Sequence, residues 1–163
     1  MQQLISLLIE NKPGALMRVT GVLTARGYNI ESLTVARTLD PEMSSMTIIA
    51  DVDPVMRSLL IKQITRLINV VAANDLTESQ AVCRELALIK VTVAPEMRAN
   101  LLKETDTFGV KVVDVAPTSY TLEVTGTSEK LDALIELLHN YGQVEIIRTG
   151  AIAMARSPQN SKD

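Results

Sequence analysis

The sequence contains few of the residues on which catalysis, metal binding and nucleic-acid recognition usually depend. Among its 163 residues there are one Cys, one His and no Trp, and aromatic residues make up 2% of the chain. A single Cys excludes a disulfide framework and a Cys-based metal site, and a lone His excludes a metal-binding His pair. The scarcity of aromatic rings argues against stacking on single-stranded nucleic acid.

Charge clusters and long apolar runs are missing as well. The 16 Lys and Arg residues and the 19 Asp and Glu residues give a net charge of −3 without a run of one sign, which argues against a nucleic-acid partner. No segment approaches the roughly 18 continuous apolar residues of a membrane span, and the first residues show no signal-peptide pattern. Because 47% of the residues are apolar, a real core can form. We therefore expect a cytoplasmic protein with no membrane or nucleic-acid partner.

The two halves of the chain repeat the same order of predicted elements. Pro13 and Pro95 follow the first apolar strand of each half, and Gly27 and Gly109 end the first helix of each half. Both pairs are separated by the same number of positions, which indicates an internal duplication. Between these markers, apolar residues alternate or recur at helical spacing in the order βαββαβ. The pattern predicts the α+β class, with two ferredoxin-like βαββαβ domains whose antiparallel sheets carry helices on one face.

The predicted domains occupy residues 2–77 and 84–155, and residues 156–163 are predicted to be a disordered tail. We place the linker at Thr77 to Arg84 and predict one continuous last strand from Val144 to Ile152. Two helices cover only one face of a four-stranded sheet. The other face needs a partner surface, so we expect obligate self-association.

The loop after the first strand has a composition that points to a ligand. In the run Asn11-Lys12-Pro13-Gly14-Ala15-Leu16, we place Pro13 at the first helical position and Gly14 in the first turn. A Gly there costs helix stability, but it lets a carboxylate approach free backbone N–H groups at the positive end of the helix. Asn11 and Asn29 offer amide groups beside it. On spacing alone, Asn11 as a capping residue and Gly14 as relief of a crowded contact explain the loop equally well.

This loop resembles the opening loop of ACT domains, which are regulatory modules that bind amino acids at domain interfaces. The longer strings are similar to the small regulatory subunits of acetolactate synthase. These strings are residues 7–16, residues 26–35 with the run Gly27-Tyr28-Asn29-Ile30-Glu31-Ser32-Leu33, residues 46–48, residues 85–91 and residues 126–133. The resemblance extends from about residue 2 to residue 155.

The resemblance implies a non-catalytic subunit with an N-terminal ACT domain and an ACT-like C-terminal domain, which forms a homodimer through its ACT domains. Its partner is the acetolactate synthase large subunit, which condenses two pyruvates, or pyruvate with 2-oxobutyrate, in valine, leucine and isoleucine synthesis. Thiamine diphosphate, Mg²⁺ and FAD would belong to that subunit and none to this chain. Activation and feedback inhibition, with valine as the expected effector, would come from the small subunit. The implied effector-binding residues are Asn11, Gly14, Ala15, Leu16, Asn29 and Ile30, and the loop of one subunit would face the second strand of the other.

Two other classes of protein share the βαββαβ order. An RNA-recognition motif would need aromatic residues on its central strands, where this chain has Leu, Ile, Ser and Val. An acylphosphatase-like hydrolase would need an Arg in the loop after the first strand, where this chain has Lys12. We expect His139, near the end of a helix, and Cys83, in the linker, to be inert. The sequence therefore predicts no catalytic and no metal site.

Overall fold

The computed structural model describes residues 2–78 and 81–156, which form helices and antiparallel sheets. This architecture confirms the α+β class. Of the predicted disordered tail, residues 157–163 lie outside the described residues. No helix in the described ranges is both long enough and apolar enough to cross a membrane.

The chain divides into two compact units. One comprises Arg84–Gly150, and the other comprises Met1–Cys83 together with Ala151–Asp163. The prediction placed residues up to 155 in the second domain, whereas the structure groups those from Ala151 onward with the first unit. The chain therefore passes between the units twice.

Within the described residues, the first unit is a four-stranded antiparallel sheet with two helices. Its elements are β1 (Gln2–Glu10), α1 (Ala15–Ala25), β2 (Asn29–Arg37), β3 (Met43–Asp51), α2 (Pro54–Thr65) and β4 (Val70–Asp75). The sheet order is β2-β3-β1-β4, so β2 and β4 are the edge strands. Alternate residues of β1 point into the core, where Ile5, Leu7 and Ile9 are at most 2% exposed.

Local signals explain where the helices of the first unit begin. The side chain of Asp53 accepts a hydrogen bond from the N–H of Val55 and so caps α2. The prediction for α1 was wrong: Pro13 lies in a turn, and the helix begins at Ala15. The reason is that Gly14 adopts the left-handed conformation, with φ 83°, which a residue inside a right-handed helix cannot have. Gly14 is therefore the cap residue of α1 and not part of its first turn.

The second unit repeats this arrangement within the described residues. Its elements are β5 (Ala81–Thr92), a 3₁₀ turn (Pro95–Met97), α3 (Arg98–Asp106), β6 (Lys111–Val115), β7 (Ser119–Gly126), α4 (Ser128–His139) and β8 (Val144–Arg148). Its strands follow the order β6-β7-β5-β8. The Thr127 side chain accepts a hydrogen bond from the N–H of Lys130, which caps α4.

The end of the chain and the linker differ from the prediction. The continuous last strand is wrong, because β8 ends at Arg148 and a separate strand, β9 (Ile152–Ala155), follows and pairs with β5. Between them, Gly150 adopts φ 80° and turns the backbone. The strand β5 already begins at Ala81, so part of the predicted linker is strand.

Replacing either of two glycines that lack a positive φ should change the stability of the protein, in opposite directions. We expect Gly142→Ala to lower the free energy of unfolding by about 1–3 kcal/mol, because its Cβ would lie 2.0 Å from the carbonyl oxygen of Thr92. The matched change Gly21→Ala, in the middle of α1 with nothing within 4 Å of the new Cβ, should raise it by about 0.5–1 kcal/mol. Urea unfolding measures both values. A Gly142→Ala protein as stable as the parent would contradict the close approach of these backbones.

Candidate functional site

The turn between β1 and α1 presents unused backbone N–H groups. Gly14 has φ 83° and ψ −7°, and a Cβ at this position would meet nothing within 4 Å, so the space around the cap is open. The N–H of Ala15 donates to the carbonyl of Lys12 at 3.2 Å. In the part of the chain that the structure describes, the N–H groups of Gly14, Leu16 and Met17 donate to no protein acceptor. These donors at the positive end of a helix can bind a carboxylate.

Asn11 links this turn by hydrogen bonds to the loop between β2 and β3. Its backbone N–H donates to the carbonyl of Glu42 at 2.7 Å, and its side-chain Nδ2 donates to the carbonyl of Pro41 at 2.9 Å. Asn11 therefore has a structural role. Because an amide carries two N–H donors and an acceptor oxygen, the one bond from Nδ2 leaves the exposed side chain with hydrogen-bonding capacity for a ligand.

A buried asparagine supports the turn, and it was not among the predicted site residues. Asn69 is 5% exposed; its Nδ2 donates to Glu10 Oε2 at 2.7 Å, and its Oδ1 accepts from the guanidinium of Arg18. The other carboxylate oxygen of Glu10 accepts from Lys12 Nζ at 3.2 Å. The network therefore joins the end of β1, the turn and the first half of α1. The available signal was an Asn directly before the apolar start of β4, but nothing in the sequence indicates its partners.

The network makes a prediction about Glu10. The hydrogen bond from Asn69 and, second, the one from Lys12 lower the pKa of Glu10 below its usual value. Because the folded pKa is the lower one, the bonds stabilise the fold at neutral pH, and this contribution is lost as the pH falls through the lowered pKa. We expect Asn69→Ala to raise the pKa of Glu10 toward its usual value, and Lys12→Ala to raise it less. An NMR titration of the Glu10 carboxyl carbon checks this, and an unchanged pKa in Asn69→Ala would contradict the network.

The remaining predicted effector residues differ in exposure. Asn29 is exposed at the start of β2, and its side-chain amide donates to the carboxylate of Glu31. Ile30 packs against the core of the first unit. Ala15 is 3% exposed and belongs to the same core, whereas Leu16 is 42% exposed. Leu16 and Asn29 are thus accessible to a ligand, and the side chains of Ala15 and Ile30 mainly hold the backbone in place.

Strand register places the two groups of predicted residues at opposite ends of the sheet. At one end of β3, Asp51 lies opposite Asn29. At the other end, Met43 lies opposite Glu10, the residue before Asn11. Since a strand rises about 3.3 Å per residue, the length of β3 separates the groups by roughly 25 Å. The predicted effector residues of one chain therefore fall into two separate groups, which are called below the loop half-site, around Gly14, and the strand half-site, at Asn29 and Ile30.

The reactive side chains that the sequence analysis considered lie outside these half-sites. His139 is the last residue of α4. Cys83 is a partly exposed residue of β5, although the prediction placed it in a linker. Among residues 2–78 and 81–156, no three His, Cys, Asp or Glu side chains are grouped so that they could hold a metal ion.

Two family models together match most of the chain. Residues 5–72 match the AHAS small subunit-like ACT domain, and residues 84–157 match the model described as the small subunit of acetolactate synthase. The chain belongs to the acetolactate synthase small subunit family. This membership decides against the RNA-binding and hydrolase alternatives.

Whole-length relatives support the same assignment. The chain is 44% identical over 156 residues to the probable acetolactate synthase small subunit of Archaeoglobus fulgidus, covering 96% of this chain and 98% of the relative. It is 40% identical over 157 residues to the acetolactate synthase isozyme 3 small subunit of Salmonella typhimurium, covering 96% of each. The crystal structure of the small subunit from Thermotoga maritima superposes with a TM-score of 0.85 at 34% identity, covering 96% of this chain and 98% of that one. The similarity to members of the family therefore extends over both units.

Proposed function

We propose that this chain is a regulatory subunit that binds the acetolactate synthase large subunit, activates it and confers feedback inhibition by a branched-chain amino acid, with valine as the effector. The observation that carries the proposal is the open left-handed cap at Gly14, with N–H groups that suit a carboxylate. The condensation itself, with thiamine diphosphate, Mg²⁺ and FAD, is assigned to the large subunit. The small subunit contributes binding of the effector and a change in the activity of its partner.

The chemistry of the loop half-site matches an amino-acid carboxylate. In the proposed complex, the carboxylate accepts hydrogen bonds from the N–H groups at Gly14 and Leu16, and Asn11 donates from its exposed amide. The branched side chain of the effector contacts Leu16, which is partly exposed to receive it. Valine and its homologues differ by one methylene, which is worth only about 1–3 kcal/mol. We expect valine, the effector that the family resemblance implies, to bind, and leucine and isoleucine to differ from it in affinity by no more than about this amount.

Pairing of two β2 strands would join the half-sites. Because β2 is an edge strand, it can add an antiparallel copy of itself. Pairing about the midpoint of β2 sets Asn29 of the partner subunit beside Arg37, which is opposite Ser44 in β3. This is the end of the sheet from which Asn11 continues. The proposed homodimer thus has two effector sites, each built from the loop of one subunit and the strand of the other.

A site shared by two subunits also accounts for regulation. An effector that bridges the subunits orders their interface, and a large subunit attached to the dimer responds if it prefers one state of that interface. Such a coupling is typically worth about 1–3 kcal/mol, or roughly fivefold to 150-fold in apparent affinity.

Calorimetry and co-elution test the proposal. We expect valine to bind the isolated chain with one site per subunit, and threonine, which has the same shape but a hydroxyl, to bind more weakly. We also expect the chain to co-elute with a purified acetolactate synthase large subunit in size-exclusion chromatography. If valine, leucine and isoleucine all fail to bind and the two subunits elute separately, the proposal is wrong.

A further inference from the structure

The chain returns from the second unit to the first unit at Ala151, which is buried. Ala151 directly follows Gly150, whose φ of 80° turns the backbone, and its side chain is fully buried. The N–H of Ala151 donates to the hydroxyl oxygen of Ser32, in β2, at 3.0 Å. Because a buried backbone N–H requires an acceptor, the hydroxyl of Ser32 fixes the position at which the chain returns. Residues 151–156 are called the return segment below.

Ser32 lies at an irregularity of β2 beside the strand half-site. The register between β2 and β3 shifts between Ile30 and Ser32, which leaves Glu31 as an extra residue. Such bulges change the direction of neighbouring side chains and are common next to binding sites. On the other side of this bulge lie Asn29 and Ile30. The position of the strand half-site therefore depends on how the bulge is held.

Beyond Ala151, the return segment forms β9, which pairs with β5 and leaves a groove on the sheet of the first unit. A groove of about 580 Å³ is lined by Ala153 and Met154 of the segment and by Ser6 and Asn74 of the sheet. The side chain of Met154 is 75% exposed. On this sheet, the contact with Ser32 is thus the tightly held part of the segment.

We propose that Ser32 is a positioning residue that links the effector site to the return segment. This inference rests on the proposed function, since the signal it carries is occupancy of the strand half-site. An effector held by Asn29 and Ile30 moves the bulge, and Ser32 is the first residue beyond it. The buried N–H of Ala151 follows its acceptor, and Ala151 is covalently continuous with the second unit. Occupancy of the ACT domain is thereby transmitted to the rest of the chain through one hydrogen bond.

The test compares three variants of the full chain reconstituted with the large subunit. Ser32→Ala removes the acceptor, Ser32→Thr keeps it, and Ser45→Ala removes an exposed hydroxyl that lines the groove and so serves as the matched control.

For Ser32→Ala we expect hydrogen exchange at the Ala151 amide, followed by NMR, to be about tenfold faster, the effect of losing one neutral hydrogen bond. Valine affinity of the isolated chain, measured by calorimetry, should change by no more than about threefold. Inhibition at saturating valine should fall to less than about half of the parent value, because binding is kept and coupling is lost. Ser32→Thr and Ser45→Ala should behave as the parent in all three measurements.

Each other outcome counts against the proposal in a distinct way. Unchanged exchange at Ala151 in Ser32→Ala shows that Ser32 does not hold the segment. Faster exchange with unchanged maximal inhibition shows that the contact carries no signal, and loss of valine binding places Ser32 in the binding site instead. If the parent itself neither binds nor responds to valine, leucine or isoleucine, the proposed function has failed. The exchange rate at Ala151 in Ser32→Ala and Ser32→Thr then decides whether Ser32 fixes the segment.

Discussion

Gly14→Asp should abolish inhibition by valine while activation of the large subunit persists. The new carboxylate would occupy the open space around the cap and place a like charge beside the carboxylate of the effector. Loss of hydrogen bonds to a charged ligand alone costs about 1.5–3 kcal/mol, so the valine concentration for half inhibition should rise about a hundredfold or more. Titration of valine against acetolactate formation by the reconstituted enzyme measures the shift.

A matched variant separates this effect from backbone strain. Gly109 also has positive φ, 65°, and open space around its added Cβ, but it lies in the second unit. Gly109→Asp therefore imposes similar strain and the same charge away from the proposed site, and we expect it to remain as sensitive to valine as the parent. If Gly14→Asp also remains sensitive, the effector does not bind at this cap.

Mixed dimers of Gly14→Asp and Asn29→Asp should regain the inhibition by valine that the homodimer of each variant lacks. Asn29→Asp places a negative charge in the strand half-site without changing its size, and we expect homodimers of this variant to be insensitive, like those of Gly14→Asp. In a mixed dimer of the two, one site combines both changes and the other combines a native loop with a native strand. A phase of inhibition at the parent's valine concentration should therefore return.

Co-expression with two different affinity tags provides the mixed dimers for this measurement. The control is a differently tagged pair in which both subunits carry Gly14→Asp, which should remain insensitive. Mixed dimers that stay insensitive would contradict a site shared between subunits, because a site within one chain would then carry one change in every copy.

Helix starts and ends that depend on the chemistry of a single residue could be predicted from the sequence. Asp53 and Thr127 are of residue types that favour the start of a helix, and each caps the helix that follows it. Gly27 and Gly109 adopt φ of 70° and 65° after the first helix of each unit, where the sequence placed the helix ends. These positions depend on local backbone conformation, and the residue types that satisfy it are few.

Contacts between residues that are distant in the sequence could not be predicted. Asn69 meets Glu10 and Arg18 only because the fold places the start of β4 beside the turn after β1. The contact between Ser32 and Ala151 likewise needs the turn at Gly150. The prediction continued one strand from Val144 to Ile152, although Arg148, Thr149 and Gly150 interrupt the apolar residues there. Local pattern specifies an element, but it does not specify which side chain from elsewhere the fold brings against it.

The separation of the candidate site into two halves shows the same limit. The run around Gly14 and the run after Gly27 were both selected for their composition, and only the strand register shows that they lie at opposite ends of one sheet. Whether they meet in a dimer is decided by the mixed-dimer experiment described above.

The central proposal is that this chain regulates a separate catalytic subunit. The most direct measurement is acetolactate formation from pyruvate by a purified large subunit alone, with this chain added, and with this chain and valine added. We expect the chain to have no activity by itself, to raise the activity of the large subunit, and to make that activity sensitive to valine. Turnover of pyruvate by the chain alone, or activity of the large subunit that is unchanged by the chain both with and without valine, would contradict it.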